Sequence, residues 1–369
     1  MIRPKGSIVV CHGSAGARPQ TGGSVAGRAI AAGDAITEAL AVVPAPLRVS
    51  AVVAGVVRTG LWDGVPDPER EAAYAAAGQV RLSGRVRESE EIAQTLPVRI
   101  PDVTSSARRS RLTGGCETRM SEVTADSPLR GRVALVTGAS GGIGRAIALA
   151  LAAEGVAVAL AYGTRAQVAE DLANRITNAG GRAIALAVDL ANSYSAGQLV
   201  KAAENGLGPI DVLVANAGRG QVHTLDDLSV EEFDRTLAIN LRAPFLLAQQ
   251  TLPGMRERGF GRVLFLSSAA AFTGGIVGAH YAASKAGLHG LTHYLASRFA
   301  PAGVTVNALA PALITDTGML PGTPEQLREQ IPLRRLGQPA EVADLALAIL
   351  RNPYITNQVV SIDGGIHPR

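Results

Sequence analysis

The chain has 369 residues, 47% of them hydrophobic, so it can bury a large core, yet no apolar run reaches the roughly 20 residues of a bilayer-spanning helix. Its two cysteines, Cys11 and Cys116, lie far apart and leave no material for a disulfide framework or a cysteine metal cluster, and the first residues lack the apolar stretch of a secretory signal. The net charge of +4 arises in residues 1–119, with 15 Lys and Arg against 11 Asp and Glu, whereas residues 120–369 carry 20 of each and no basic stripe with interleaved aromatics; a cytoplasmic protein with no nucleic acid, membrane or metal partner is expected.

Residues 6–96 come first in the chain, and they echo a later part of it. Gly6-Ser-Ile-Val-Val-Cys-His-Gly-Ser14 resembles residues 261–268, residues 35–41 match 290–296, residues 47–55 match 304–312, and residues 82–93 follow 333–343. Four matches in the same order make this stretch read as the C-terminal half of a second copy of the downstream domain, with no nucleotide-binding half before it. The echo is chemically incomplete. Aligned through Thr37 and Thr292, Ala26 and Ile30 hold the positions of Tyr281 and Lys285. Residues 97–119 are rich in Ser, Thr, Gly and Arg without an apolar period, the composition of a linker. The expected division is a degenerate half-domain over 1–102, a disordered linker over 103–127 and a complete domain over 128–369. Met120 precedes a short polar lead-in to a first strand and reads as a start. Residues 1–119 then stand as a fused relic, as sequence ahead of a misassigned start, or as a half-domain that pairs with something. Its apolar face, with Leu61, Trp62 and Ile92, would pack against the outside of the complete domain or a partner subunit, or else remain loosely ordered, which is the outcome expected of a half-sheet with an unpaired edge.

Residues 133–136 are a short apolar strand that stops at a glycine cluster, and a helical pattern (Ile143, Ala146, Ile147, Ala150, Leu151) begins at once. That is strand, phosphate loop, helix. Glycines at 138, 142 and 144 permit a sharp turn, close approach of a pyrophosphate, and tight packing of helix on strand, while the helix N-terminus offers unpaired N–H groups. The spacing Gly-x3-Gly-x-Gly fits the general dinucleotide fingerprint only loosely, so by itself it also suits an ordinary glycine-rich turn. Beyond it, strand 156–161, helix 167–179, strand 183–188, helix 195–206 and strand 212–215 alternate. Helical sequence over 230–256, strand 262–266, helix 279–299, strand 304–308, helix 339–350 and strand 359–362 complete the pattern. Short, continuously apolar strands separated by helices predict an α/β fold with a doubly wound, Rossmann-like parallel sheet, which binds its ligand at the C-terminal strand ends beside the switch point.

The second strand ends in Tyr162-Gly-Thr-Arg165 without the carboxylate that accepts from a ribose 2′-hydroxyl in NAD sites. Thr164 and Arg165 can instead donate to a 2′-phosphate, which favours NADPH over NADH unless Arg165 is only a solvated residue of the next helix. Asp189 closes the third strand, where it can accept from an adenine amino group, and Asn216-Ala-Gly218 closes the fourth, where small residues let the backbone run beneath a cofactor. Such residues are also common in plain turns. The sharper signal is Tyr281-Ala-Ala-Ser-Lys285, whose i, i+4 spacing puts a phenol and an ammonium on one helix face, with Ser268 thirteen residues earlier at a strand end. A cation beside the phenol is expected to lower its pKa, Ser268 can hydrogen-bond a substrate oxygen, and Asn240 can bend its helix and hold a proton-relay water.

With the loop from Thr137 to Gly144, Asn216-Ala-Gly218, Asn240, Ser268, Tyr281 and Lys285 in this order, residues 128–369 resemble the short-chain dehydrogenase/reductase family. Leu333-x-Arg-Leu-Gly-Gln-Pro-Ala-Glu-Val-Ala343 and Tyr354-Ile-Thr-Asn-Gln-x3-Ile-Asp-Gly-Gly365 are similar in particular to its 3-oxoacyl-(acyl carrier protein) reductase branch. The resemblance implies NADPH-dependent reduction of a carbonyl to an alcohol, with a 3-oxoacyl thioester of fatty acid biosynthesis as substrate, acyl carrier protein as a partner and a homodimer or tetramer as the assembly. It implies Ser268, Tyr281 and Lys285 as catalytic residues with Asn240 in support. Cofactor contacts are implied at Gly138, Ser140, Gly142, Ile143, Gly144, Thr164, Arg165, Asp189, Asn216, Ala217, Gly218, Tyr281, Lys285, Pro311 and Ile314, and no metal. An alcohol or polyol dehydrogenase working oxidatively, or a non-catalytic nucleotide-sensing scaffold, would carry much of the same pattern. Four positions depart from the family. Gly141 stands where NADPH users often have Arg, Ala312 and Asn357 replace glycines, and Asp316 takes the place of a Thr that contacts the carboxamide, leaving Thr315 or Thr317 to substitute. Residues 313–336 should cover the substrate, with Met319, Leu320, Ile331 and Leu333 lining it and Arg328, Arg334 and Arg335 nearby.

Overall fold

The computed structural model describes residues 7–13, 48–54, 57–79, 86–89, 127–318, 320 and 322–367. Nearly all of the expected linker, together with Ile92 and Met319, lies outside the described residues. In the first part of the chain, β1 (Ser7–Gly13) and β2 (Arg48–Ala54) run parallel with Ser7 opposite Arg48. β3 (Val57–Arg58) pairs in parallel with β4 (Arg87–Glu88), Val57 opposite Arg87, and α1 (Asp67–Gln79) connects them. Val57, Tyr74 and Val86 are buried there, and Trp62 meets the Tyr74 ring edge-on at 5.7 Å between centroids.

The second part follows the strand and helix alternation. In chain order it contains β5 (Val133–Thr137), α2 (Gly142–Ala153), β6 (Ala157–Tyr162), α3 (Ala166–Asn178), β7 (Ala183–Ala187), α4 (Ser195–Leu207), β8 (Val212–Ala215) and α5 (Val230–Leu237). Then come α6 (Ala243–Glu257), β9 (Gly261–Leu266), α7 (Ala270–Thr273), α8 (Ala279–Phe299), β10 (Val304–Pro311), α9 (Pro324–Glu329), α10 (Pro339–Arg351) and β11 (Val359–Ile362). The seven strands form one parallel sheet in the order β11-β10-β9-β8-β5-β6-β7. Chain order reverses between β5 and β8, so the doubly wound sheet has its switch point there.

Side-chain alternation along the strands builds two cores. On β5, Val133 and Leu135 face a layer that includes Leu199 of α4, Leu247 and Leu252 of α6 and Leu288 of α8. Ala134 and Val136 face the opposite layer, with Ile147 and Leu151 of α2, Leu172 of α3 and Leu347 of α10. Because both faces are covered, the strands carry continuous apolar runs rather than alternating ones. A wholly buried leucine such as Leu247 contributes about 2 kcal/mol by removal of its surface from water.

Three details differ from the sequence reading. The helix expected over 230–256 is divided by a π-helical turn, Ala238–Arg242, in which Ala243 N–H reaches back five residues to Ala238 C=O. β10 continues through Pro311, past the expected end at 308. The short α7 and α9 have too few turns for an apolar period, although Thr323 starts α9 with a capping box through Gln326.

The pairing in the first part repeats that of the second. β9 and β10 place Arg262 opposite Thr305, and the sequence echo equates Ser7 with Arg262 and Arg48 with Thr305, so β1 and β2 have the same register. Extended by two residues, the echo equates Val57 with Ile314. Counted back from Ala93 and Ala343, it equates Arg87 with Gly337. Ile314 and Gly337 form an isolated parallel bridge, the counterpart of Val57 opposite Arg87. α1 also begins at the position equivalent to Pro324 of α9.

Candidate active site

The site is built where β5 and β8 diverge. Gly138 has φ +65°, and a Cβ there would come within 2.9 Å of Ala217 Cα and of Asn216 Nδ2. At Gly144 a Cβ would meet Gly138 O at 2.3 Å. Asn216 fixes this close approach, its Nδ2 donating to Thr137 O at 2.9 Å and Gly138 O at 3.2 Å, while Thr137 Oγ1 accepts from the N–H groups of Asn216 and Ala217. Helix α2 then starts at Gly141 without a side-chain cap. Its first-turn N–H groups and dipole are therefore directed at whatever anion occupies the loop. Ser140 is buried and Ile143 half-buried at this helix start. A Cβ at Gly142 would lie 2.4 Å from Asp316 O, so the segment after β10 rests directly on the loop. Asp316 (φ +58°) and Asn357 (φ +64°) are both left-handed, which accounts for a glycine being the easier residue at the latter position.

Thr164 and Arg165 are exposed at the end of β6. The Arg165 guanidinium reaches back to the glycine loop, Nη2 lying 3.7 Å from where a Gly141 Cβ would be. It thus occupies space next to the position from which an arginine at 141 would start. Asp189 sits two residues beyond β7, exposed, with Oδ1 accepting from Ala191 N–H at 3.0 Å. Part of its acceptor capacity is spent on its own turn.

On α8, Tyr281 and Lys285 are both buried, and Gly220 and Gly218 leave them room: a Cβ at Gly220 would meet Tyr281 Cδ2 at 2.9 Å, and one at Gly218 would meet Lys285 Nζ at 3.2 Å. Lys285 Nζ donates to Leu266 O at 2.7 Å and lies 5.7 Å from the Tyr281 ring centroid. Ser268, just past β9, lies close enough to the Tyr281 hydroxyl to act on its titration, and its Oγ accepts from Ala270 N–H at 3.2 Å. The sequence reading expects the ammonium to lower the phenol pKa. Instead burial raises it, with only the neighbouring Ser268 acting downward, and burial lowers Lys285 to about 8. The reason is desolvation: the lysine points its N–H at a strand carbonyl and offers the phenol little charge.

Asn240 lies in the π-helical turn, fully buried. Its Oδ1 accepts from Arg219 N–H at 2.8 Å, and its Nδ2 donates to Arg219 O at 2.8 Å and Ser284 Oγ at 3.0 Å. The bend expected at Asn240 is this wider turn, a form common at functional sites. Pro311 is buried at the end of β10, where its carbonyl accepts from Ala269 N–H, and Ile314 is buried beside Gly337. The hydroxyls of Thr315 and Thr317, the expected substitutes at position 316, donate to Gln338 Oε1 and Ile314 O respectively.

The expected substrate lining is corrected in part. Ile331 packs with Leu327 and Leu336 in a small core of their own, against which Leu313, Leu320 and Leu333 lie. Arg335 pairs with Glu341 at 2.6 Å, and Arg334 donates to Glu329 O. These side chains close the segment on itself because α9 brings them together, which their spacing in sequence does not reveal.

The family model of the short chain dehydrogenases matches residues 132–328. The chain belongs to this family. Among relatives of this short chain dehydrogenase, the 3-oxoacyl-(acyl-carrier-protein) reductase of Synechocystis is 38% identical over 241 residues, covering 64% of this chain and 98% of the relative. A blue fluorescent protein from a metagenomic library, solved in complex with NADPH, is 35% identical with a TM-score of 0.61, covering 64% of this chain and 98% of that one. A short chain dehydrogenase of Burkholderia cenocepacia, solved in complex with NADP, is 36% identical with a TM-score of 0.60 over 64% and 98% of the two chains. Among the described residues no helix is long and apolar enough to cross a membrane. Sequence reading did not single out Arg219 and Ser284, which hydrogen-bond Asn240, His280 next to Tyr281, or Glu232, which pairs with Arg219. Only contact across three elements marks them, and no spacing in sequence encodes it.

Proposed function

We propose that this short chain dehydrogenase is an NADPH-dependent reductase of a 3-oxoacyl thioester. The observation that carries the reading is the convergence of Ser268, Tyr281 and Lys285 at strand ends beside the glycine loop, at the switch point of the sheet. Gly138, Gly142 and Gly144 with the α2 N-terminus would hold the pyrophosphate, Arg165 and Thr164 the 2′-phosphate, and Lys285 the ribose. When bound, NADPH supplies a hydride. Ser268 donates a hydrogen bond to the carbonyl oxygen, and the Tyr281 phenol delivers the proton that completes the alcohol. A raised phenol pKa keeps that proton in place through neutral pH. A panel of acetoacetyl thioester, simple ketones and quinones against NADPH and NADH, followed by nicotinamide absorbance, tests the reading. Preference for an unactivated alcohol in the oxidative direction would replace it.

Arg165 gives the cofactor prediction. A charge-assisted contact to phosphate is worth about 1.5–3 kcal/mol, so Arg165→Asp should shift preference toward NADH by about 10- to 100-fold in kcat/KM. A wild-type enzyme that used NADH at least as well would overturn the assignment.

The groove lined by Leu237, Leu241, Phe245 and Leu291, together with exposed Tyr294, supports a homo-oligomer. For residues 1–102, the repeated registers support a duplicated C-terminal half without the catalytic tyrosine and lysine. A chain beginning at Met120 should therefore keep its fold, cofactor affinity and turnover within about twofold, since nothing in the half-copy supplies chemistry. Loss of solubility or of turnover on truncation would make residues 1–119 an integral part of the enzyme.

A further inference from the structure

A half-buried ion pair lies behind the candidate site, outside every motif that identifies it. Arg219 follows Asn216-Ala-Gly218 in the loop after β8, and its Nη2 donates to both carboxylate oxygens of Glu232 on α5, at 2.8 and 2.7 Å. The same Nη2 reaches Gln221 Oε1 at 3.2 Å. The side chains are 28% and 15% exposed. Glu232 is held from its own helix as well: Ser229 Oγ accepts from its N–H, and Thr236 Oγ1 donates to Oε1 at 3.2 Å. Burial acts to raise the Glu232 carboxyl, but the hydrogen bond and charge of Arg219 outweigh it and hold the group below the usual range, so the pair is intact at neutral pH. His280, beside Tyr281, is buried near the same carboxylate.

The main chain of Arg219 grips Asn240 from both sides, as described above. From Asn240 the connection continues through Nδ2 to Ser284 Oγ, which in turn donates to Tyr281 O at 2.7 Å. Glu232, Arg219, Asn240 and Ser284 thus form one chain of hydrogen bonds that ends on the turn of α8 carrying Tyr281 and Lys285. We propose that Arg219 and Glu232 are positioning residues for the reduction: their ion pair fixes the loop backbone that orients Asn240 and, through Ser284, the proton-donating turn. The inference rests on the reading of Tyr281 as proton donor.

Asn240 touches only main-chain atoms of residue 219, which every substitution retains, so a side-chain change there reports placement and deletes no bond to Asn240. In the full-length protein, Arg219→Gln and Glu232→Gln should each lower kcat about tenfold, with KM for NADPH within about twofold because Asn216 keeps its own hydrogen bonds to Thr137 O and Gly138 O, which hold the phosphate loop. Arg219→Lys, which retains the charge pair, should recover kcat to within about threefold of wild type. Tyr281→Phe is assayed alongside. If both Gln variants keep kcat within about twofold while Tyr281→Phe loses activity, the positioning role is wrong and the proton-donor reading stands. Parallel loss of kcat, cofactor affinity and melting temperature without recovery in Arg219→Lys shows a purely structural pair and also overturns the proposal. Full activity in Tyr281→Phe removes the donor reading and this inference with it.

Discussion

Tyr281→Phe should lower turnover by about three orders of magnitude while leaving NADPH affinity within about twofold, the range expected when a positioned general acid is removed. The ring keeps its packing, since Tyr281 is only 8% exposed and phenylalanine fills nearly the same volume. What disappears is the hydroxyl alone, a change in stability of about 1 kcal/mol. Reduction needs the protonated phenol, and burial favours that form. The pH dependence follows from the sign: activity in the reductive direction should persist through neutral pH and fall only on the alkaline side as the phenol ionises. Steady-state kinetics with a saturating 3-oxoacyl thioester, together with a fluorescence titration of NADPH, separates chemistry from binding. A phenylalanine variant retaining a tenth or more of wild-type turnover would place the proton donor elsewhere.

How far the sequence carries can be judged from particular residues. The parallel sheet is readable because Val133, Leu135, Ala134 and Val136 must satisfy two covered faces at once, which forces a continuous apolar run. Tyr281 and Lys285 are readable because four residues separate neighbours on a helix. The glycines at 138 and 144 are readable as a tight turn, and the structure supplies the reason, the Asn216 carboxamide clamped against the loop. The phenol's upward pKa is not readable, because it depends on how much water three elements exclude. Nor is the Asp316 carbonyl lying over Gly142, or Arg219 joined to Glu232, since these contacts arise only once loops from distant strands meet at the switch point. In the first part of the chain, β1 and β2 pair in the register that the sequence echo carries over from β9 and β10.

Lys285→Met should abolish turnover and at the same time make the apoprotein more stable at neutral pH, by about 2 kcal/mol. The ammonium is 3% exposed, and the polar contact found for it among the described residues is the Leu266 carbonyl, which offers no countercharge. Burial therefore lowers its pKa from 10.5 to about 8. That displacement corresponds to a cost of about 3 kcal/mol for holding the charged form in the folded state below pH 8, an upper figure because the interior relaxes. Methionine keeps the length and apolar stem while forfeiting one hydrogen bond of about 1 kcal/mol, which leaves the net gain. The sign fixes the pH window. Between about 8 and 10.5 the unfolded chain binds more protons at this position than the folded one, so wild-type stability rises with pH across that interval and the advantage of the variant shrinks toward zero. Thermal melts of the two proteins without cofactor at neutral and alkaline pH check both statements, with a difference of about 4–8 °C expected at pH 7 for a domain of this size. Added NADPH should reverse the order, because the ribose hydroxyls would give the ammonium the partners it lacks, and a ligand that binds only the folded wild type raises its melting temperature by mass action. A Lys285→Met protein that melts below wild type at pH 7 without cofactor, or whose advantage grows with pH, would mean that the buried ammonium is already compensated and that its role is structural.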